Sequence, residues 1–198
     1  TFDKFFVLQA INELRHIVSS PELDNNKIIS SKKEVLIENV IEAIENDHKV
    51  LIFVNYLSSI ESICNSLKEN KIKFLKMTGQ TKDRQSLVDK FQSDNRYKVF
   101  VMTLKTGGVG LNLVSADTIF IYDPWWNKTV ENQAIDRAYR LGQDKTVFAY
   151  KMIMRNTIEE KILKLQEIKD KLLDDLISED NLSTKNLSKN DIEFILGN

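Results

Sequence analysis

A three-layer α/β domain with a mainly parallel sheet is the fold this 198-residue sequence predicts, and three observations carry the prediction. Four short runs, KVLIFVN (49–55), YKVFVMTL (97–104), DTIFIYD (117–123) and TVFAYKMI (146–153), are apolar almost throughout instead of alternating, the pattern of strands covered on both faces. Amphipathic stretches of helical period separate them, so strand and helix alternate along the chain. The composition, 42% hydrophobic and 29% charged with only six glycines and two prolines, describes an ordered globular chain able to bury a core without metals or disulfides.

The elements follow in order. FFVLQAINELRHIV (5–18) is expected to be a helix ending near Pro21, with a polar linker, DNNKIISS, after it. KKEVLIENVIEAIEN is the next helix, with Val35, Ile37, Val40, Ile41 and Ile44 expected on its buried side. Strand KVLIFVN, helix LSSIESICNSLKEN, a weaker strand IKFLKMT and helix KDRQSLVDKFQSD come next. Cys64 shares a helix face with Ile60, Ile63 and Leu67 and reads as a small core residue. A single cysteine and two isolated histidines, His16 and His48, do not make a zinc set, so no metal site is expected from side chains alone.

Three segments carry candidate chemistry. TLKTGGVGLNL (103–113) places glycines at 107, 108 and 110, which let the backbone approach a ligand and point amides at phosphate. Leu113 stands where a dinucleotide fingerprint needs its third glycine, and no G-x-x-x-x-G-K-[ST] occurs, so neither a Rossmann site nor an independent P-loop is expected. DTIFIYDPWWNK ends in Trp125 and Trp126, one expected in the core and the other at an interface. ENQAIDRAYRLGQ (131–143) puts Val130, Ala134, Ala138 and Leu141 on a stripe expected to be buried, with Gln133, Arg137 and Arg140 each one residue earlier, about 100° around the helix. An arginine pair at i and i+3 suits a phosphoryl group. On spacing alone, an ordinary helix whose arginines pair with Glu131, Asp136 or Asp144 explains it better.

Charge is unevenly distributed. The net charge is −1, yet residues 71–105 hold nine basic side chains, Lys71, Lys73, Lys76, Lys82, Arg84, Lys90, Arg96, Lys98 and Lys105, against three acidic ones, a local +6. A solvated lysine-rich surface and a basic face for phosphates both fit. The C-terminal part opens on TIEEK, with Thr157 and Glu160 at capping-box spacing. Ile158, Ile162, Leu165, Ile168, Leu172 and Leu176 then recur at threes and fours. Such a helix is longer than a compact domain needs, so part of its stripe is expected to pack on something outside this chain. A short final helix, SKNDIEFILG, is expected after a polar stretch. No apolar run approaches the roughly eighteen residues of a membrane span, and the expected compartment is intracellular, cytoplasmic if bacterial and nuclear if eukaryotic.

Taken in this order, KVLIFVNYLSSIESI, MTGQTKDRQSLVDKFQSD, VFVMTLKTGGVGLNLVSADTIFIYDPWWN and QAIDRAYRLGQ resemble the motifs of the C-terminal RecA-like (helicase C-terminal) lobe of SWI/SNF-type ATPases of superfamily two. LQAINELRHIVSSPEL is similar to the segment joining that family's two lobes, and RNTIEEKILKLQEIKDKLL to its brace helix. The implied organisation is an N-terminal helix and inter-lobe linker (1–30), the RecA-like lobe (31–155), a brace-type helix (156–180) and a polar stretch with a short terminal helix (181–198). The resemblance implies the second motor lobe of an ATP-dependent double-stranded-DNA translocase, with ATP and Mg2+ held mainly by the N-terminal RecA-like lobe of the same polypeptide. It implies Arg137 and Arg140 as arginine fingers with Gln133 beside them, and Gly108 and Gly110 near the nucleotide. Thr78, Gly79, Thr103, Lys105, Asn55 and Trp126 are implied at the DNA backbone. The chain alone is then expected to be inactive and to be an excised piece of a compact, bacterial-type member. Alternatives are an RNA-directed superfamily-two lobe and a non-catalytic RecA-like module that docks a protein.

Overall fold

The computed structural model describes residues 4–23, 28, 30–107, 110–175, 190 and 193–194. The chain runs α1 (Lys4–Ser19), a 3-10 turn (Pro21–Leu23), α2 (Ser31–Glu45), β1 (Val50–Val54), α3 (Leu57–Glu69), β2 (Phe74–Met77) and α4 (Arg84–Ser93). It continues with β3 (Val99–Thr103), α5 (Leu104–Gly107), β4 (Thr118–Ile121), α6 (Lys128–Ile135), β5 (Phe148–Lys151) and α7 (Ile158–Asp175). The five strands form one sheet in the order β2-β3-β1-β4-β5, with every pairing parallel. All five expected strands are present, the weak one included. No described helix is long and apolar enough to cross a membrane.

Strand period divides the core in two. Val50, Ile52 and Val54 of β1, with Val99 and Val101 of β3, face α2 and α3. Leu51 and Phe53, with Phe100 and Met102, face α4, α5 and α6. Every residue of β1 is fully buried, which is why its sequence has no polar alternation. Each such side chain contributes about 1.5–3 kcal/mol of transfer free energy. Cys64 lies within the α2/α3 core, and burial pushes its thiol up to about 11, so it packs as a hydrophobe.

Three expectations are corrected here. TVFAYKMI is not covered on both faces: β5 is the edge strand, with Phe148 and Tyr150 half exposed and Tyr150 stacked on Phe120 at 5.4 Å. Its apolar composition serves one face and one neighbour. Val35 is 48% exposed, because the buried arc of α2 is Lys32, Leu36, Ile37 and Val40, and one residue back from Leu36 turns the side chain outward. The α7 stripe holds through Ile158, Ile162 and Leu165, but Ile168 is 42% exposed. The side chain of Leu172, Leu176 and most of the expected final helix lie outside the described residues. The capping signal at Thr157 is real: its Oγ1 accepts from Glu159 N, while Glu160 reaches back to the amide of Asn156 and not of Thr157.

The two end helices dock at the carboxyl end of β4. Ile11 of α1 meets Ile158, Ile162 and Leu165 of α7 in a small third cluster that Trp126 covers. Polar contacts fix the placement: Tyr122 OH donates to Ser19 O, Ser19 Oγ to Asp123, and Arg15 Nη2 to Pro124 O at 2.8 Å. Lys32 of α2 pairs with Glu159 of α7 at 2.6 Å, both 2% exposed, and the ammonium lies 4.8 Å over the Tyr122 ring. Burial holds the Glu159 carboxyl above the usual carboxylate range, against the pull of Lys32. Lys32→Met leaves that carboxylate buried without its cation and is expected to lower the unfolding free energy by roughly 3–5 kcal/mol. Urea denaturation measures this, and Lys32→Met/Glu159→Leu should recover most of the loss; a single variant within about 1 kcal/mol of the parent would show that the pair is solvated.

Candidate functional site

In a parallel sheet every strand ends at one edge, and the chain after each strand must choose a face. After β1 it passes to the α3 face, while after β3 and β4 it passes to the opposite one, where α5 and α6 pack. A crevice opens between diverging exits of this kind. Here it is a cleft of about 540 Å³, walled by Asn55 and Tyr56 after β1, Gly79 after β2, Thr103 and Lys105 at the end of β3, and Trp125 after β4.

Four of the six residues implied at DNA by the family resemblance, Asn55, Gly79, Thr103 and Lys105, line this one cleft. Thr78 adjoins Gly79 but its hydroxyl accepts from Gln80 N while its amide donates to Thr81 Oγ1, so it closes a turn. Trp126 is not part of the lining; it packs on the Ile11 cluster and stacks on Trp125 with ring centroids 3.9 Å apart. Both tryptophans are half buried, so neither takes the core position expected for one of them, and Trp125 is the one at the cleft. Arg15 sits with its guanidinium 4.8 Å from the Trp125 centroid and 5.1 Å from that of Trp126.

Several of these side chains are already committed. Asn55 Nδ2 donates to Asp123 O at 2.6 Å and its backbone amide to Asp123 Oδ2 at 2.8 Å, which locks the β1 exit to the end of β4. Thr103 Oγ1 accepts from Thr106 N and touches the Thr106 hydroxyl at 2.7 Å, capping α5. Tyr56 OH donates to Asn12 Oδ1, and burial raises its pKa to about 12, so it stays neutral. Lys105 is exposed and, among the described residues, has no ion-pair partner. Arg84, which also lines the cleft, donates to Gly79 O at 3.3 Å; sequence reading counted it only as one charge among nine.

The basic segment does not form one face. Lys71, Lys73, Arg96 and Lys98 precede β2 and β3 and therefore sit at the amino edge of the sheet, where Arg96 pairs with Asp94 and Lys98 with Asp47. Lys82, Arg84 and Lys105 follow strands and sit at the cleft edge. Parallel strands place residues before and after them some 15–20 Å apart.

The arginines stand on a turn and not within a helix. α6 stops at Ile135, and the chain continues through short-range bonds, Arg137 N to Ala134 O and Ala138 N to Ile135 O. Ala134 and Ala138 are fully buried and Val130 partly so, as expected, but Leu141 is wholly exposed because α6 has ended at Ile135 and the helical period that would return Leu141 to the stripe is lost; Gly142 follows at φ +100°. Arg137 Nε donates to Gln133 O; Arg140 and Gln133 are exposed. The expected carboxylate partners are not used: Glu131 is buried and accepts from Trp125 N, and among the described residues neither arginine has an ion pair. The turn is tied to the loop after β3 by Leu113 N donating to Arg137 O, and by Gln143 Nε2 donating to Val114 O and Ala116 O. Gln143 had no role in the sequence reading, since nothing local shows which carbonyls it reaches. Gly110 on that loop has φ +50° and open space around it; Gly108 lies outside the described residues.

The glycines separate by what surrounds them. A Cβ on Gly107 would stand 2.3 Å from the buried Phe53 ring, so this glycine serves packing and not a ligand. A Cβ on Gly79 would meet nothing within 4 Å, so the fold does not require glycine there. Gly107→Ala is expected to cost roughly 1–3 kcal/mol, and Gly79→Ala to stay within about 0.5 kcal/mol, in urea unfolding of the two variants.

Comparison with known proteins agrees with this geometry. Residues 31–142 match the helicase conserved C-terminal domain. An uncharacterized ATP-dependent helicase of Mycoplasma pneumoniae is 39% identical over 179 residues, 89% of this chain and 17% of that protein. The chromatin-remodeling ATPase INO80 of Candida glabrata is 36% identical over 147 residues, 73% of this chain and 10% of that protein. The chain thus spans a fifth or less of the length of these relatives. The crystal structure of the C-terminal part of the Fun30 ATPase domain superposes with a TM-score of 0.69 at 30% identity, covering 82% of this chain and 51% of that one. This chain belongs to the helicase conserved C-terminal domain family, a RecA-like α/β lobe whose relatives are SWI/SNF-type ATP-dependent helicases.

Proposed function

We propose that this chain is the second motor lobe of an ATP-dependent double-stranded-DNA translocase, contributing the DNA-backbone cleft and a pair of arginine fingers. The observation that carries the proposal is the convergence of Asn55, Gly79, Thr103 and Lys105, from three separate strand exits, on one cleft. Lys105 and Arg84 supply cations, the Gly79 turn supplies unobstructed backbone, and Trp125 a flat apolar wall. Such contacts recognise phosphate and sugar and are independent of sequence. Asn55 and Thr103 act mainly by shaping the cleft, because their polar atoms are engaged within the lobe. Thr78 and Trp126 support it from behind, through the Gly79 turn and the Trp125 stack.

Arg137, partly exposed, and Arg140, exposed, stand on the turn after α6 with Gln133 in its last turn, and among the described residues neither arginine has an ion pair, the state in which a guanidinium can neutralise a transferring phosphoryl group. Gly110, with open space around it, allows close backbone approach of a nucleotide, and Gly108 is assigned to the same role from the sequence motif alone. ATP and Mg2+ are assigned mainly to an N-terminal RecA-like lobe of the same polypeptide. By this account the chain does not hydrolyse ATP on its own.

The test is steady-state ATP hydrolysis by the complete parent polypeptide with double-stranded DNA, with RNA, and with neither. Stimulation by DNA is expected, and Arg137→Ala or Arg140→Ala should lower the turnover on the order of a thousandfold while leaving DNA binding in place. Lys105→Ala should weaken DNA binding for all sequences alike and reduce its salt dependence by about one counterion. Hydrolysis by the arginine variants within a few-fold of the parent would remove the finger assignment, and stimulation by RNA alone would move the chain to the RNA-directed class.

A further inference from the structure

The backbone of Trp125 is held in an unusual way. Its N–H donates to Glu131 Oε1 at 2.6 Å, and its carbonyl accepts from Gln166 Nε2. These two side chains come from different elements, Glu131 from α6 and Gln166 from α7. Lys151, at the end of β5, joins them: its ammonium lies 2.7 Å from Glu131 Oε2 and donates to Gln166 Oε1 at 2.9 Å. The four residues therefore close a ring, Trp125 to Glu131 to Lys151 to Gln166 and back to Trp125. Glu131 is 1% exposed and Gln166 2%, so these two are out of water and depend on the ring for their partners, while the Lys151 side chain, 25% exposed, closes it at the surface.

The sequence gives no local reason for this arrangement. Packing alone would be met by apolar residues at 131 and 166, since both positions face the interior. A polar ring instead has two discrete conditions, closed when α7 is docked and open when it is not, because undocking withdraws Gln166 from Trp125 and Lys151 at once. Trp125 is a wall of the cleft, and the ring connects that wall to a helix on the far side of it.

We propose that Glu131, Lys151 and Gln166 are positioning residues, a clasp through which docking of α7 sets the Trp125 wall and so the affinity of the cleft for DNA. This rests on the translocase assignment for its ligand, but the clasp itself is a property of the lobe and can be read without DNA. None of the three side chains needs to touch the nucleic acid. The clasp acts on binding, by holding the backbone of residues 124–126 where the wall is complete.

Two readouts on the complete parent polypeptide test it. In hydrogen–deuterium exchange, Lys151→Met and Gln166→Leu are expected to speed exchange of the 123–127 segment by about tenfold, with β1 and β3 unchanged, and Lys151→Arg, which keeps two donors, to leave it as in the parent. In DNA-stimulated hydrolysis the same two variants should raise the DNA concentration for half-maximal rate about five- to tenfold, while the rate at saturating DNA stays within about twofold. A variant that merely loosened the fold would lower the saturating rate and Tm together without this split. Should Gln166→Leu fail to fold, Gln166→Glu keeps the volume and the acceptor for Lys151 but sets a carboxylate oxygen, with no proton to donate, against the Trp125 carbonyl; that bond is lost and the same two effects should appear. Unchanged exchange at 123–127 overturns the clasp. Faster exchange with an unmoved half-saturation overturns its link to the cleft. Where DNA does not stimulate the parent at all, the translocase assignment falls, and the exchange experiment alone decides the clasp.

Discussion

The cleft exists because β1, the central strand, leaves the sheet on the face opposite to β3 and β4. That divergence would leave a gap lined by loose strand ends if nothing held them, and the group that holds them is Asp123. Its carboxylate accepts from the Asn55 amide on one oxygen and from Ser19 on the other, and its carbonyl accepts from the Asn55 side chain. One buried residue thereby joins the exits of β1 and β4 to the end of α1. Hydrogen bonds to a charged acceptor contribute about 1.5–3 kcal/mol each, more than neutral ones, because the ion has lost its water. The compensating cation is Arg15, itself 2% exposed. Burial lowers its pKa, while the fields of Asp123, Glu159 and Glu131 act the other way, and its guanidinium is sandwiched against Tyr56 and the tryptophan pair. The wall of the cleft is thus built from charge balance as well as from packing.

How far the sequence foretold this depends on which physical signal each element left. The central strands were legible because complete burial erases polar positions, and β1 and β3 read as unbroken apolar runs. β5 has the same composition for another reason: it lies at an edge, covers one neighbour and leaves Phe148 and Tyr150 half in water, and composition cannot separate the two cases. The cleft residues were reachable only through family resemblance, since a glycine, two polar residues and a lysine at strand ends carry no pattern of their own. Glu131 was misjudged for a general reason. A glutamate next to arginines looks like their partner, and only tertiary structure shows that its carboxylate turns inward to Trp125 and Lys151. The basic segment was misjudged because net charge along the chain ignores that residues before and after a strand lie at opposite edges of a sheet.

The loop after β3 deserves its glycines for reasons that differ by residue. It begins with Lys105 in the cleft, passes Gly107 under Phe53, and reaches Leu113, whose amide bonds to the carbonyl of Arg137. The same short segment therefore runs from the cleft to the arginine turn. Gln143, bonded to the carbonyls of 114 and 116, closes the connection from the other side.

The two main cores are dry, yet the contact between the sheet and the end helices is crowded with buried polar groups: Arg15, Lys32, Asp123, Glu131, Glu159 and Gln166 all lie there. A wholly apolar seam would hold α1 and α7 more strongly than the small Ile11, Ile158, Ile162 and Leu165 cluster does alone, because desolvating the charges beside it offsets much of what their pairing gains. It would also hold them less specifically, since apolar side chains tolerate sliding while a closed ring of donors and acceptors fits in one register only. The molecule accordingly has two apolar cores against its sheet and a margin of paired polar groups where the end helices dock, and the cleft wall at Trp125 belongs to the margin.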